Sequence, residues 1–143
     1  MKRWLALLGL ATLLAWAPAL PASAATLVAK VSLSTQTMTV LQNGKVRYTW
    51  RVSTARDGKV TPTGSWTAKR FARFHRSSRY GNAPMPYSIF YSGNFSVHGT
   101  NATSQLGNPA SAGCIRLSRK NARTLFSMAK QAGLRNTRVV VER

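Results

Sequence analysis

With 143 residues the chain can bury one core but not two, and its 21 lysines and arginines face only two acids, Asp57 and Glu142, giving a formal charge of +19. So few acids exclude a carboxylate pair for hydrolysis, and two histidines, one cysteine and two acids in no ligand spacing exclude a zinc centre and call for no cofactor. The single cysteine, Cys114, excludes an intramolecular disulfide.

Residues 1–24 read as a secretory signal peptide: a charged head (Lys2, Arg3), an apolar run from Trp4 to Trp16 and a tail ending Ala22-Ser23-Ala24, with cleavage before Ala25. The run is shorter than the roughly 20 residues a spanning helix needs, so no stable membrane insertion is expected. Residues 25–143 are then one exported domain of the periplasm or cell wall.

From Leu27 to Thr54 apolar residues alternate, and Asn43-Gly44 is a two-residue hairpin signal, which predicts an antiparallel meander. Thr61-Pro62-Thr63-Gly64 breaks the pattern before an apolar and aromatic run from Trp66 to Phe74. Pro84 and Pro86 bracket Met85 ahead of a strand from Tyr87 to Tyr91, and Phe95 to Val97 reads as a strand that delivers His98 at its end. After Cys114 the period changes. Ser118 caps a helix whose Ala122, Leu125, Phe126 and Ala129 share one face, Gly133 stops it, and Val139 to Val141 closes as a strand. The pattern fits a mostly β fold, a small β-sandwich or partly open barrel with one or two short α-helices.

The basic residues are scattered, through Arg47, Arg51, Arg56, Lys69, Arg70, Arg73, Arg76 and Arg79 and again from Arg116 to Lys120. A field of this sign implies polyanionic surroundings, and an exported protein meets envelope polymers before nucleic acid, which is not expected as a partner. A generally solvated cationic surface is the plainer account of the same residues.

The chemistry gathers in residues 98–117, HGTNATSQLGNPASAGCIRL. A lone cysteine is ordinarily a small buried hydrophobe, but Cys114 sits in a Ser-Ala-Gly-Cys turn, where packing alone explains it less well. Thiols titrate near ~8.5, so a catalytic one needs a base or a positive environment. His98 is the natural base, and the Gly99 carbonyl is available to its second ring nitrogen. Gly113 allows a tight turn and a close substrate carbonyl, with main-chain N–H groups from Ala112 to Cys114 as oxyanion donors. Arg116 shares a face with Cys114 if the segment is extended, although a structural arginine would read the same way. His75 lies in a basic, Ser-rich stretch and reads as an exposed loop residue outside the site. Trp50, Trp66, Tyr87, Phe90, Tyr91 and Phe95 read as core rather than as a sugar platform, cleft lining by Tyr87 or Tyr91 being the lesser alternative.

These residues resemble the L,D-transpeptidases of the bacterial cell wall, the YkuD family. The resemblance rests on His98-Gly99-Thr100 and on Ser111-Ala112-Gly113-Cys114-Ile115-Arg116-Leu117. Ser53-Thr54 before Thr61-Pro62-Thr63-Gly64, the Met85-Pro86-Tyr87 segment, and Gln36 with the Asn43-Gly44 hairpin support it. It implies a mostly β catalytic domain in which Cys114 is the nucleophile and His98 the general base. The implied donor is a peptidoglycan tetrapeptide stem, attacked at the carbonyl of its diamino acid with loss of D-alanine. The implied acceptor is an amine, either of a neighbouring stem (a 3→3 cross-link) or of an envelope protein, or else water. Arg116 and Ser111 are the implied substrate contacts, Gly99 orients the base, and Gly113 lends its backbone to the oxyanion. This chain departs from the family where histidine usually precedes the Gly-Cys pair: it has Ala112. A catalytically weak peptidoglycan-binding module and a secreted cationic envelope-binding protein are the alternatives.

Overall fold

The computed structural model describes residues 17–19 and 25–143, so the signal peptide expected over residues 1–24 lies almost wholly outside the described residues. The first three strands, β1 (Leu27–Ser32), β2 (Thr37–Gln42) and β3 (Lys45–Arg51), form the expected antiparallel meander. Its second turn is Asn43-Gly44, with positive φ at both residues as a type I′ turn requires.

After β3 the chain crosses to β4 (Gly64–Thr67), which pairs antiparallel with the last strand, β9 (Thr137–Glu142). Strand β9 also runs parallel to β1, so the first sheet has the order β3-β2-β1-β9-β4. The second sheet comprises β5 (Arg70–Arg76), β6 (Pro84–Ser92), β7 (Phe95–Thr100) and β8 (Ile115–Ser118), in that order. Strands β5 to β7 are antiparallel, and β8 is parallel to β7. Neither sheet closes on itself, so of the two shapes expected the open sandwich is the one formed.

Pro84 and Pro86 belong to β6 rather than preceding it. They are tolerated because that half of β6 pairs only with β5, whereas β7 joins from Ile89 onward, leaving no ladder bond for a proline to miss on the β7 side.

The one α-helix, α1 (Arg119–Ala132), buries Ala122, Leu125, Phe126 and Ala129, the four positions read from the period. Ser118 Oγ accepts the Asn121 N–H at 3.2 Å, and Gly133 ends the helix by donating to the Ala129 carbonyl at 2.8 Å. Two single 3₁₀ turns, Thr103–Gln105 and Leu134–Asn136, stand in place of a second helix. The core joins Leu27, Val31, Met38 and Val139 of the first sheet to Ile89, Val97, Ile115 and Leu117 of the second, with α1 packed against the latter. Each such side chain removed from water contributes about 1.5–3 kcal/mol. Gly99 lets α1 sit this close: a Cβ there would lie 3.1 Å from the Arg119 Cα and 3.3 Å from the Ala122 Cβ. Among the described residues no helix is long and apolar enough to cross a membrane.

Candidate active site

Strand register places the site residues. In the parallel pair β7–β8, Val97 lies beside Ile115 and His98 beside Arg116. Side chains alternate along a strand, so Val97, Gly99, Ile115 and Leu117 face the core and α1, while Ser96, His98 and Arg116 face the other way. Cys114 immediately precedes β8 and continues that outward row: its Sγ is 3.7 Å from Ser96 Oγ and 3.8 Å from the Asn94 carbonyl. Across β6 and β5 the row runs on through Phe90, paired with Ser96, to Arg70, paired with Phe90.

This face is the floor of a cleft of about 1230 Å³ lined by His98, Cys114 and Arg116, together with Arg56, Arg70, Arg76, Arg79 and Arg119 and no acid. The distal half of the β5–β6 hairpin, from Phe74 to Pro86, contributes much of the remaining wall. Tyr87, where this half of β6 meets the rest, has a φ of +56°, unusual for a bulky residue.

His98 is only 5% exposed, and its Nδ1 lies 2.8 Å from the Gly99 carbonyl, the bond anticipated from sequence. A carbonyl can only accept, so Nδ1 carries the proton and Nε2 of the neutral ring keeps its lone pair. Burial pushes the His98 pKa down to about 4; the Gly99 bond opposes that shift, and the charges of Arg116 and His75 add to it. The imidazole is therefore neutral at physiological pH. Arg116 is half-buried, donates to Gln105 Oε1 at 3.3 Å, and has its pKa lowered mainly by burial, with Cys114 acting in the opposite sense.

The loop before Cys114 is braced from three directions. Ser111 Oγ accepts the Gly113 N–H at 3.0 Å and donates to the Cys114 carbonyl at 2.6 Å. Thr61 Oγ1 donates to the Gly113 carbonyl at 2.8 Å and accepts the Ala55 N–H at 3.0 Å. Gln36, buried near the first turn, holds Thr54 through both ends of its amide, and the Thr54 carbonyl accepts the N–H groups of Ala110 and Ser111. A glycine is required before the cysteine, because a Cβ at Gly113 would meet Phe95 Cε1 at 2.7 Å and the Val60 carbonyl at 2.9 Å.

Three expectations are corrected. The Gly113 N–H is spent on Ser111 Oγ and is not free for an oxyanion; the Cys114 N–H has no acceptor among the described residues. Ser111 is buried and both its hydroxyl bonds are internal, so it shapes the loop rather than presenting a substrate donor. His75 is a half-buried residue of β5, edge-on to Phe90 at 5.1 Å, and it lines the cleft. Its basic, serine-rich surroundings look like a loop because that half of the hairpin is wetted rather than packed in the core. Tyr87 and Tyr91 are core residues, as the pattern of aromatics suggested, and it is Phe90, Phe95 and Tyr80 that line the cleft. Tyr91 is buried against Trp66, its hydroxyl has no hydrogen-bond partner among the described residues, and its pKa is raised by burial and then by Cys114.

Sequence reasoning also missed site roles for Ser96, Arg70, Thr61 and Gln36. Ser96 and Arg70 were legible only through cross-strand register, since both lie in the same row as Cys114.

The fold is thus an open two-sheet sandwich in which His98, on β7, and Cys114, just before the parallel strand β8, line one cleft. The family model described as L,D-transpeptidase catalytic domain, YkuD, matches residues 27–141, and the chain belongs to that family. It is 27% identical over 117 residues to the YkuD protein of Bacillus subtilis (strain 168), covering 79% of this chain and 64% of that one. Among solved structures it resembles an L,D-transpeptidase from Mycobacterium tuberculosis H37Rv, with TM-score 0.73, 25% identity, and coverage of 82% of this chain and 58% of that one. It also resembles LdtMt1 in complex with imipenem, with TM-score 0.71, 26% identity, and coverage of 82% and 59%. The chain thus spans about three fifths of the length of these relatives.

Proposed function

We propose that residues 25–143 form an exported peptidoglycan L,D-transpeptidase that uses Cys114 as nucleophile and His98 as general base. The supporting observation is that a neutral imidazole, His98, and a free thiol, Cys114, line the floor of one arginine-rich cleft. A tetrapeptide stem lies along the cleft with the carbonyl of its diamino acid over Sγ. His98 Nε2 takes the thiol proton as sulfur attacks, and the Cys114 N–H donates to the oxyanion that forms. Gly113 contributes by its conformation, a φ of +139° packed against Phe95 and the Val60 carbonyl that no other residue could adopt without a clash.

The imidazolium, disfavoured by burial, returns its proton to the departing D-alanine amine and leaves the stem as a thioester on Cys114. An acceptor amine loses its proton to His98 and displaces the thiolate. A second diamino acid as acceptor gives a 3→3 cross-link, a lysine of an envelope protein gives anchoring, and water gives carboxypeptidase activity. Arg116, beside the thiol, holds a stem carboxylate. The domain works in the periplasm or cell wall once residues 1–24 are removed.

Incubation of the mature protein with a disaccharide tetrapeptide, read by intact-protein and product masses with Cys114→Ala as control, tests this. A tripeptide acyl-enzyme or released D-alanine, absent from the control, is expected, and dimers mark cross-linking. A folded protein that gives neither product nor adduct would instead be a binding module, and Ala112→His would be the first variant to make.

A further inference from the structure

Arg70 stands apart from the other arginines of the cleft. Its Cζ sits 3.9 Å above the centre of the Phe90 ring, while His75 packs edge-on to the same ring at 5.1 Å. Phe90 is itself buried, so the ring is a fixed platform. A guanidinium lying on an aromatic face is held by cation–π attraction yet keeps its in-plane N–H fork free for a planar anion. Among the described residues neither a carboxylate nor a hydrogen-bond acceptor meets that fork. Arg76, by contrast, donates to the Asn82 carbonyl, and Arg116 to Gln105.

Position along the sheet gives the reach. Arg70, Phe90, Ser96 and Cys114 occupy one cross-strand row. Strands are spaced about 4.8 Å apart, so the platform over Phe90 lies two steps, about 10 Å, from the nucleophile. An extended peptide covers roughly 3.4 Å per residue, and a diamino acid side chain of the diaminopimelate type reaches about 7 Å from Cα to its carboxylate oxygens, so with the long arginine side chain either carboxylate can meet the platform.

We propose that Arg70, held over the Phe90 ring, is a second anion subsite that takes a free carboxylate of the donor stem and so makes the enzyme prefer free-acid stems over amidated ones. The inference rests on the transpeptidase reading above. Two carboxylates have the right chemistry: that of the diamino acid side chain and the α-carboxylate of the γ-linked glutamate before it. The second counts as the source only if its amidation alone is felt.

The test uses three disaccharide tetrapeptides: one with all carboxylates free, one amidated on the diamino acid side chain, and one amidated on the glutamate. Wild-type enzyme is expected to lose about tenfold or more in kcat/KM on one of the amidated stems, which identifies the source. Arg70→Ala should lose the same factor on the free-acid stem through KM, keep kcat, and show no further loss on that amidated stem. Arg70→Lys should fall between, because an ammonium cannot stack as a fork. Equal turnover of all three stems by the wild type, or an equal loss on all three in Arg70→Ala, would overturn the subsite. Were no stem turned over at all, the transpeptidase reading would fail separately. Calorimetric binding of the three stems to Cys114→Ala would then still decide the subsite by preference or indifference.

Discussion

Burial makes His98 a base that stays neutral down to about pH 4, well below the usual imidazole range. The acid limb of kcat/KM on a soluble stem peptide is therefore expected near pH 4 and not near 6.5, activity falling as pH drops and the ring gains its proton. Stability follows the same group. The unfolded ring binds its proton below ~6.5 and the folded one only below about 4, so the contribution is complete above the first value and lost on descending to the second. That loss is on the order of 3 kcal/mol. Denaturant titrations at pH 7 and pH 4 should show it in wild type and not in His98→Gln; an equal fall in both would assign it to other groups. At this scale Cys114, His98 and the Gly99 bond were legible in the motif, because residue type and adjacency are enough to imply them. Ser111 and Gly113 were misread because a motif names polar groups without saying which already satisfy one another.

The elements divide differently. Helix α1 could be read directly, since its buried stripe, serine cap and glycine stop are local signals. Its first turn is less ordinary: Arg119 and Lys120 sit at the positive end of the helix dipole, with no acid there to offset them. Ser118→Ala should cost about 1 kcal/mol by freeing the Asn121 N–H, and Lys120→Glu should gain about 0.3–1 kcal/mol. Thermal melts of the two variants check both signs, and a neutral Lys120→Glu would mean that solvent already screens the dipole. Strand pairing was harder to foresee. The apolar run Phe95 to Val97 identifies β7, but Ile115–Ser118 is too short to announce β8, and nothing local carries the parallel pairing that sets Cys114 beside Ser96.

For the whole molecule charge is the dominant fact. A chain with a formal charge of +19 has, among the described residues, one ion pair, the exposed Lys30–Glu142 contact at 3.3 Å. Such a pair contributes about 0–1 kcal/mol, so repulsion among the remaining cations goes largely uncompensated. Added salt is expected to raise the melting temperature and to weaken binding to isolated cell-wall sacculi, while slowing turnover of a small soluble stem less than it weakens that binding. Co-sedimentation and turnover measured across one salt series test the comparison; parallel losses would place the essential charges in the cleft alone. The excess of base was plain from composition. Its gathering of six arginines around one cleft was not, because they come from β5, the turn after it, the segment after β3, β8 and α1.

The place of β9 has a consequence for the order of events. The strand that separates β1 from β4 comes from the last stretch of the domain, so a chain emerging residue by residue has the two flanks of that sheet in hand well before its middle. Until Thr137–Glu142 arrives, Leu27, Ala29 and Val31 lack their parallel neighbour and the sandwich cannot close over them. The two-sheet framework that carries Cys114 and His98 is therefore complete only when the last strand of the domain is in place.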